Sequence, residues 1–176
     1  MTSNTKNNKK ELALDLLKPG GDSKLVTNLN SCVRCGLCAS SCMYFKAFGE
    51  ARFVPSVKVD LVSSLYRRYY TTTGKIAPAI FGARELDKEM EDKMIDLLFG
   101  ACTMCGRCVK HCSIGVDIPY VVRKGREMLA VMDLVPQTLQ STVDAAINTG
   151  NNMAIPTEEF VDTIKWMEEE IGRAHV

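Results

Sequence analysis

All eight cysteines of the chain lie in two stretches, Cys32-Val-Arg-Cys35-Gly-Leu-Cys38-Ala-Ser-Ser-Cys42 and Cys102-Thr-Met-Cys105-Gly-Arg-Cys108-Val-Lys-His-Cys112. We refer to these stretches as the first and the second block. Both have the spacing C-x2-C-x2-C-x3-C, and the second block repeats the first 70 positions later. Each block also has a glycine directly after its second cysteine and at least one basic residue inside. The two blocks are therefore an internal repeat, and the repeated residues are potential metal ligands.

The spacing of each block suits a [4Fe–4S] cluster, whose four iron atoms each require one ligand such as a thiolate. Three cysteines at intervals of three residues can place their sulfur atoms around one side of such a cube. In two-cluster proteins with this pattern, the last cysteine of each run binds the other cluster. The sequence therefore predicts two clusters: cluster one bound by Cys32, Cys35, Cys38 and Cys112, and cluster two bound by Cys102, Cys105, Cys108 and Cys42.

Other residues of the blocks bear on this prediction. Gly36 and Gly106 lack a Cβ, and we expect the backbone there to approach the inorganic sulfides closely. Basic residues near the clusters would favour the more negative reduced state, although solvated side chains are an equal alternative; these residues are Arg34, Arg107 and Lys110. Met43 and Ser113 stand where a proline commonly follows the last cysteine, but proline supplies no ligand.

Zinc is the main alternative occupant of the two blocks. Structural zinc sites also use cysteine pairs, but usually two C-x2-C pairs separated by a longer gap than these runs contain. A disulfide framework is excluded if the protein is cytoplasmic, because the cytosol keeps thiols reduced.

Composition bounds the remaining possibilities. The chain has 176 residues, 22 Lys and Arg against 21 Asp and Glu, and a net charge of +1, which gives no electrostatic footprint for nucleic acid. The first ten residues are polar and no apolar h-region follows them, so no secretory signal is predicted. Its apolar stretches are too short to span a bilayer. These features predict a cytoplasmic protein without a membrane span and without a nucleic-acid partner.

Helical periodicity dominates the rest of the sequence, and no segment alternates as a strand would. Apolar residues recur every four positions from Pro55 to Tyr70, and further helices are predicted at 85–98, 118–132, 136–150 and from Thr157 onward. Residues 11–17 are predicted as a short helix after a solvated tail. The predicted fold class is therefore mostly α.

Three stretches make the chain similar to a known family. They are Ser31 to Cys42, the segment YRRYYTTTGKIAPAIFG at 66–82, and Cys102 to Asp117. With them the chain resembles the α-helical ferredoxin domain of heterodisulfide reductase-related (Fe–S)-binding proteins, over about residues 25–170. The resemblance implies an α-helical ferredoxin with two cluster-binding loops and additional C-terminal helices.

The resemblance also implies a function, which is electron transfer as the iron–sulfur domain of a heterodisulfide reductase-like oxidoreductase complex. The same domain occurs in glycolate- and lactate-oxidising complexes, so that class of complex is the alternative. The implied partners are other redox subunits, namely a flavoprotein, a CCG-domain protein or a membrane cytochrome, which would make this cytoplasmic protein peripheral to a membrane complex. No CCG sequence is present and every cysteine is assigned to a cluster, so no catalytic residue is predicted in this chain.

The predicted organisation has four parts: a polar tail with a short helix at 1–22, the ferredoxin domain at 23–133, a helical extension at 134–170, and a tail at 171–176. Ile171-Gly-Arg-Ala-His-Val176 back-translates into a common sequencing-adapter string. We therefore expect that this tail is an artefact, that His175 has no function, and that the gene continues past Glu170 into a catalytic half. We also expect the apolar face of 158–170 to be exposed.

Overall fold

A computed structural model describes residues 3–174, with side chains described for residues 5–171. This part of the chain is mostly helical and contains no strand, which confirms the predicted fold class. Short 3-10 helices lie at Leu37–Ser41 and Ala51–Phe53, and a π-helix lies at Ile95–Gly100. The α-helices are α1 (Ser3–Asp15), α2 (Ser23–Ser31), α3 (Met43–Phe48), α4 (Pro55–Tyr70), α5 (Thr72–Ile76), α6 (Lys88–Met94), α7 (Arg107–Lys110), α8 (Ile118–Val131), α9 (Gln137–Thr149) and α10 (Thr157–Ala174).

Helix α4 is the central element of the core, and its predicted bounds are confirmed. Pro55 occupies the first turn, where its missing N–H has no intrahelical partner to lose. The apolar stripe is buried against α2, α5 and α8. Each fully buried Val or Leu of that stripe contributes about 1.5–3 kcal/mol; these include Val59, Val62 and Leu65. Helix α4 lies between the two blocks in sequence, so its packing holds in place the segment that connects them.

The N-terminal region differs from the prediction. The sequence predicts a solvated tail at residues 1–10, but the described residues 3–10 belong to α1, which packs against α8. Ala13 near the end of α1 and Leu17 just after it are 0% exposed, and their burial attaches a largely polar helix to the core. Helix α2 was not predicted either. Its Leu25 is buried, and Asp22 caps it by accepting a hydrogen bond from the Leu25 N–H at 2.9 Å.

The helix before the second block begins later than predicted. Asp87 caps α6 by accepting from the Met90 N–H at 2.8 Å, whereas Glu85 lies outside the helix and pairs with Arg68. After Met94 the chain winds as a π-helix to Gly100, two residues before Cys102. A wider turn of this type often occurs at functional sites. Here it forms the entry to the second block.

The helices after the second block follow the prediction closely. Asp117 caps α8 by accepting from the Tyr120 N–H at 3.1 Å, and Gly150 ends α9 in the left-handed region at φ 79°. The chain divides into two compact units, residues 1–134 and 135–176. On α10 the apolar side chains are exposed, as expected; they include Phe160, Ile164 and Met167. The expectation for His175 lies outside the described residues.

In the described residues, none of the helices combines the length and the apolar character that a membrane span requires.

Candidate cluster-binding site

The two blocks share the same left-handed backbone positions around their second cysteine. Arg34 and Gly36 have positive φ angles of 56° and 82°, and their equivalents 70 positions later, Met104 and Gly106, have φ angles of 55° and 77°. Left-handed backbone costs a non-glycine residue about 1–2 kcal/mol. Two such residues at matching positions therefore indicate that the surrounding structure holds both blocks in this conformation. Alternating left- and right-handed residues bring successive N–H groups into a concavity that binds anions, as at many Fe–S sites. At Gly36 and Gly106 the positive φ angle favours glycine. Crowding does not, because an added Cβ would meet no protein atom within 4 Å.

Backbone N–H groups of both blocks donate to cysteine sulfur atoms. The Met104 N–H donates to Cys102 Sγ at 3.4 Å, and the Arg34 backbone makes the equivalent hydrogen bond to Cys32. A third bond joins the Val116 N–H to Cys112 Sγ at 3.3 Å. These bonds stabilise negative charge on the sulfur and therefore suit thiolates in a cluster.

One cavity of the first unit is lined by four cysteines drawn from both blocks: Cys42, Cys102, Cys105 and Cys108. We call it cavity two. Its other walls include Phe53, Met104 and the fully buried Lys58. Cys42 is the last cysteine of the first block, and it lies here with the first three cysteines of the second block.

A second cavity, cavity one, is lined by the remaining four cysteines: Cys32, Cys35, Cys38 and Cys112. Its other walls include Ser56, Val116 and Ile118. Ile118 lines both cavities. The structure therefore brings together the same two sets of four cysteines that the spacing predicts as ligand sets. Cys35 and Cys105 are exposed, so each cavity has one cysteine at the protein surface.

Burial keeps two of these thiols protonated in the absence of a metal centre. Burial, together with negative charge on Cys102 and Cys38, raises the pKa of the Cys108 thiol to about 12. Burial also raises the pKa of Cys32, against the opposing effect of the Arg34 N–H. These thiols are neutral near pH 7 until a cation replaces their protons, so cluster binding releases protons. In the described part of the chain, no three His, Cys, Asp or Glu side chains form a group that could hold a single metal ion. The four thiols of each set surround a cavity, which suits a ligand with several metal atoms such as a [4Fe–4S] cluster.

The basic residues near the blocks have different surroundings. Arg34 pairs with Asp60 at 3.1 Å, and Arg67 pairs with the same carboxylate at 3.0 Å. Arg107, Lys110 and His111 are exposed. The basic residues that the sequence analysis singled out are therefore solvated or paired, and none of them is buried against a cluster cavity.

Lys58 is a site residue that the sequence analysis missed. Its side chain is 1% exposed, and Nζ donates to the carbonyl oxygen atoms of Arg52 at 2.5 Å and Val54 at 3.4 Å. Burial lowers the pKa of Lys58, whereas negative charge on three cysteines opposes that change; these are Cys102, Cys42 and Cys108. The signal was present in the sequence, because Lys58 precedes Val62 by four residues on the buried stripe of α4.

Arg126 on α8 is the second residue that was missed. Its Nε and Nη2 donate to the Leu98 carbonyl oxygen at 2.9 and 2.8 Å, and Nη2 donates to the Cys102 carbonyl oxygen at 2.5 Å. The guanidinium also lies over the Phe99 ring, 4.9 Å from its centroid. Arg126 thus satisfies carbonyl groups at the end of the π-helix and connects α8 to the first cysteine of the second block.

Replacing Arg126 by Met is expected to lower the free energy of unfolding by about 2–4 kcal/mol. The reason is that the carbonyl oxygen atoms of Leu98 and Cys102 lose the guanidinium donor. Arg123→Met is the matched control, since Arg123 is exposed on the same helix, and we expect it to change stability by less than about 0.5 kcal/mol. Thermal unfolding followed by circular dichroism measures both. Equal midpoints for the two variants would show that the Arg126 contacts contribute nothing.

Comparison with known proteins supports this site. Residues 28–116 match the family model described as a 4Fe-4S dicluster domain. The chain is 34% identical over 147 residues to the Hdr-like menaquinol oxidoreductase iron-sulfur subunit 2 of Archaeoglobus fulgidus, and 32% identical over 150 residues to the Hdr-like menaquinol oxidoreductase iron-sulfur subunit of Archaeoglobus profundus. These alignments cover 82% and 84% of this chain but 26% and 27% of the relatives.

A more distant relative is one of the subunits of the dihydromethanophenazine:CoB–CoM heterodisulfide reductase of Methanosarcina barkeri. It is 24% identical over 159 residues, which are 87% of this chain and 37% of the relative. The chain thus spans about a quarter to slightly more than a third of the length of these relatives. No solved structure matches the chain.

The resemblance to heterodisulfide reductase-related proteins is therefore confirmed, and neither the glycolate oxidase-type alternative nor the zinc alternative is favoured. The Archaeoglobus relatives are named as iron–sulfur subunits, and the matched model spans both blocks. Cysteine pattern, helical fold and family model agree: the chain belongs to the 4Fe-4S dicluster domain family.

Proposed function

We propose that this domain transfers electrons one at a time through two [4Fe–4S] clusters, as the iron–sulfur domain of a heterodisulfide reductase-like oxidoreductase complex. The observation that carries the proposal is the grouping of eight thiols into two sets of four, each set combining three cysteines of one block with one of the other. When bound, each cluster supplies a one-electron couple. The proposed ligands are Cys32, Cys35, Cys38 and Cys112 for cluster one, and Cys102, Cys105, Cys108 and Cys42 for cluster two.

The surrounding residues bind the clusters and limit water access. Met104 and Val116 donate backbone N–H bonds to ligand sulfur atoms, which favours the more negative reduced state. Ile118 lines both cavities and places apolar surface beside both. Low polarity around the thiolates limits solvent access, which is one determinant of cluster potential.

The exposed cysteines suggest how electrons enter and leave. Cys35 lies at the surface beside cavity one, and Cys105 lies at the surface beside cavity two. We propose that one of these edges faces an electron donor and the other an acceptor, both supplied by further redox subunits. A flavoprotein, a CCG-domain protein or a membrane cytochrome would each fit that role. The names of the relatives point to quinol- and heterodisulfide-linked complexes, and we propose the same class for this chain.

Anaerobic purification of the full chain tests the proposal. We expect a brown protein that contains about eight iron atoms per chain and loses its broad visible absorbance on reduction with dithionite. A colourless protein with stoichiometric zinc would support the structural alternative and overturn the electron-transfer function.

The fully reduced protein is expected to show magnetic interaction between its two clusters. One short run, Cys38 to Cys42, contributes a cysteine to each cavity, so the cluster centres must lie on the order of 10–12 Å apart. Electron paramagnetic resonance of the doubly reduced state measures this as broadened, split features that are absent when only one cluster is reduced. A spectrum that equals the sum of two independent clusters would contradict this packing.

A further inference from the structure

Lys58 gives the two cavities different electrostatic environments. It is 1% exposed and lines cavity two. Its Nζ is held by two carbonyl oxygen atoms, those of Arg52 and Val54. Within the part of the chain that the structure describes, no carboxylate pairs with it. Cys42, Cys102 and Cys108 line the same cavity, so thiolates bound to a metal centre there would place negative charge beside this ammonium group.

Among the described residues that line cavity one, none is an equivalent buried cation. Ser56, in the first turn of α4, lines cavity one where Lys58 lines cavity two. The cation that lines cavity one is Arg34, whose side chain is 61% exposed and is paired with Asp60. Water and the carboxylate both screen that charge, whereas a buried charge is screened much less. The repeat of the two blocks is thus symmetrical in its thiols and asymmetrical in its buried charge.

We propose that Lys58 is the counter-charge of cluster two and raises its reduction potential above that of cluster one, so that the first electron added to the domain resides on cluster two. This inference rests on the proposed function, because it requires that both clusters assemble. Its physical basis is that reduction adds one negative charge to a cluster, and a positive charge nearby in a medium of low dielectric stabilises the reduced form. Electrons would then pass from the cavity one edge toward the cavity two edge.

The test is a redox titration of the anaerobically loaded full chain, monitored by electron paramagnetic resonance. Lys58→Met removes the charge and keeps an unbranched side chain of similar length, and Lys58→Gln removes the charge but keeps an N–H donor for the carbonyl groups. The ratio of reduced to oxidised cluster two is measured at the potential that is the midpoint for the unaltered protein. In each variant we expect this ratio to be at least about tenfold lower than in the unaltered protein. That is a shift of about 59 mV for a one-electron couple.

Lys46→Met is the matched control. Lys46 is an exposed lysine on α3, the helix that begins with the cavity two residue Met43. The same unit of charge is removed there, but from a solvated position, and we expect the ratio to change less than about twofold. Equal shifts for Lys46→Met and Lys58→Met would show that the potential depends only on net charge, and would overturn the inference. An unchanged potential of cluster two in both Lys58 variants, at full iron content, would also overturn it.

A measurement on chains with Lys58 intact keeps the inference testable if neither variant assembles cluster two. One electron equivalent is added to the unaltered protein, to Cys105→Ser and to Cys35→Ser, since serine at a ligand position alters or removes the cluster of that cavity and spares the other. We expect the one-electron signal to change in Cys105→Ser and to remain in Cys35→Ser. The reverse result would overturn the inference while leaving the proposed function intact, because the unaltered protein would still contain two reducible clusters. Absence of iron from the unaltered chain would instead overturn the proposed function.

Discussion

Replacing Cys42 by Ser is expected to remove or degrade cluster two and to leave cluster one intact, although Cys42 belongs to the block that supplies most of cluster one. Cys42 lies in the cavity that contains Cys102, Cys105 and Cys108. A cluster that loses one of its four thiolate ligands is held by three, and its fourth iron atom becomes exposed to exchange and loss. The iron content should fall by up to about four atoms per chain, with the remaining signal that of one isolated cluster.

The reciprocal variant is the control for this prediction. Cys112→Ser changes the last cysteine of the second block, which lies in the cavity of Cys32, Cys35 and Cys38, so it should degrade cluster one and spare cluster two. Cys105→Ser should give the same spectrum as Cys42→Ser, because the two residues line one cavity. If Cys42→Ser instead resembles Cys35→Ser, each block binds its own cluster and the exchange of ligands is wrong.

The helices could be predicted wherever a strong local signal marked them. The four-residue period and the proline define α4, and Asp117 and Gly150 mark helix ends by capping, which depends on neighbouring residues alone. Helix α1 could not be predicted in full, because its sequence is polar and long-range contacts fix it, among them the burial of Ala13 and the hydrogen bond from the Tyr70 hydroxyl to the Leu14 carbonyl oxygen. Tertiary contacts of this kind leave little trace in local periodicity.

The cysteine sets were predictable for a different reason. Their spacing encodes the geometry of a cubane, and the same spacing occurs twice, so the grouping follows from chemistry without knowledge of the helices. The supporting residues were harder to predict. Arg126 lies 24 positions after Cys102, whose carbonyl oxygen it binds, and nothing in the local sequence marks that contact. Lys58 follows the apolar period of α4 but is a charged residue, and sequence reasoning ordinarily places a lysine on the solvated face.

Removing the iron is expected to lower the thermal midpoint of the domain by about 10–20 °C, because each proposed cluster also cross-links the chain. Cluster two would connect Cys42 to Cys102, which lie 60 positions apart. In the chain-entropy treatment of cross-links, closing a loop of about 60 residues stabilises the folded state by about 4 kcal/mol. Cluster one closes a loop that largely contains the first one, so its additional contribution is smaller, and the total of about 4–6 kcal/mol gives the stated shift.

At Cys108, thiolate repulsion contributes little to this loss in the iron-free protein, because burial and neighbouring thiolates raise the pKa of that thiol to about 12. Circular dichroism at the helical minimum, recorded before and after oxidative iron removal in the presence of a chelator, measures the shift in the thermal midpoint. The double variant Cys42→Ser with Cys112→Ser lacks the thiolates that join the two blocks, so the same treatment should change its midpoint by only a few degrees. An unaltered midpoint in iron-free protein with the native cysteines would show that the helices alone hold the blocks together and that the clusters serve electron transfer without stabilising the fold.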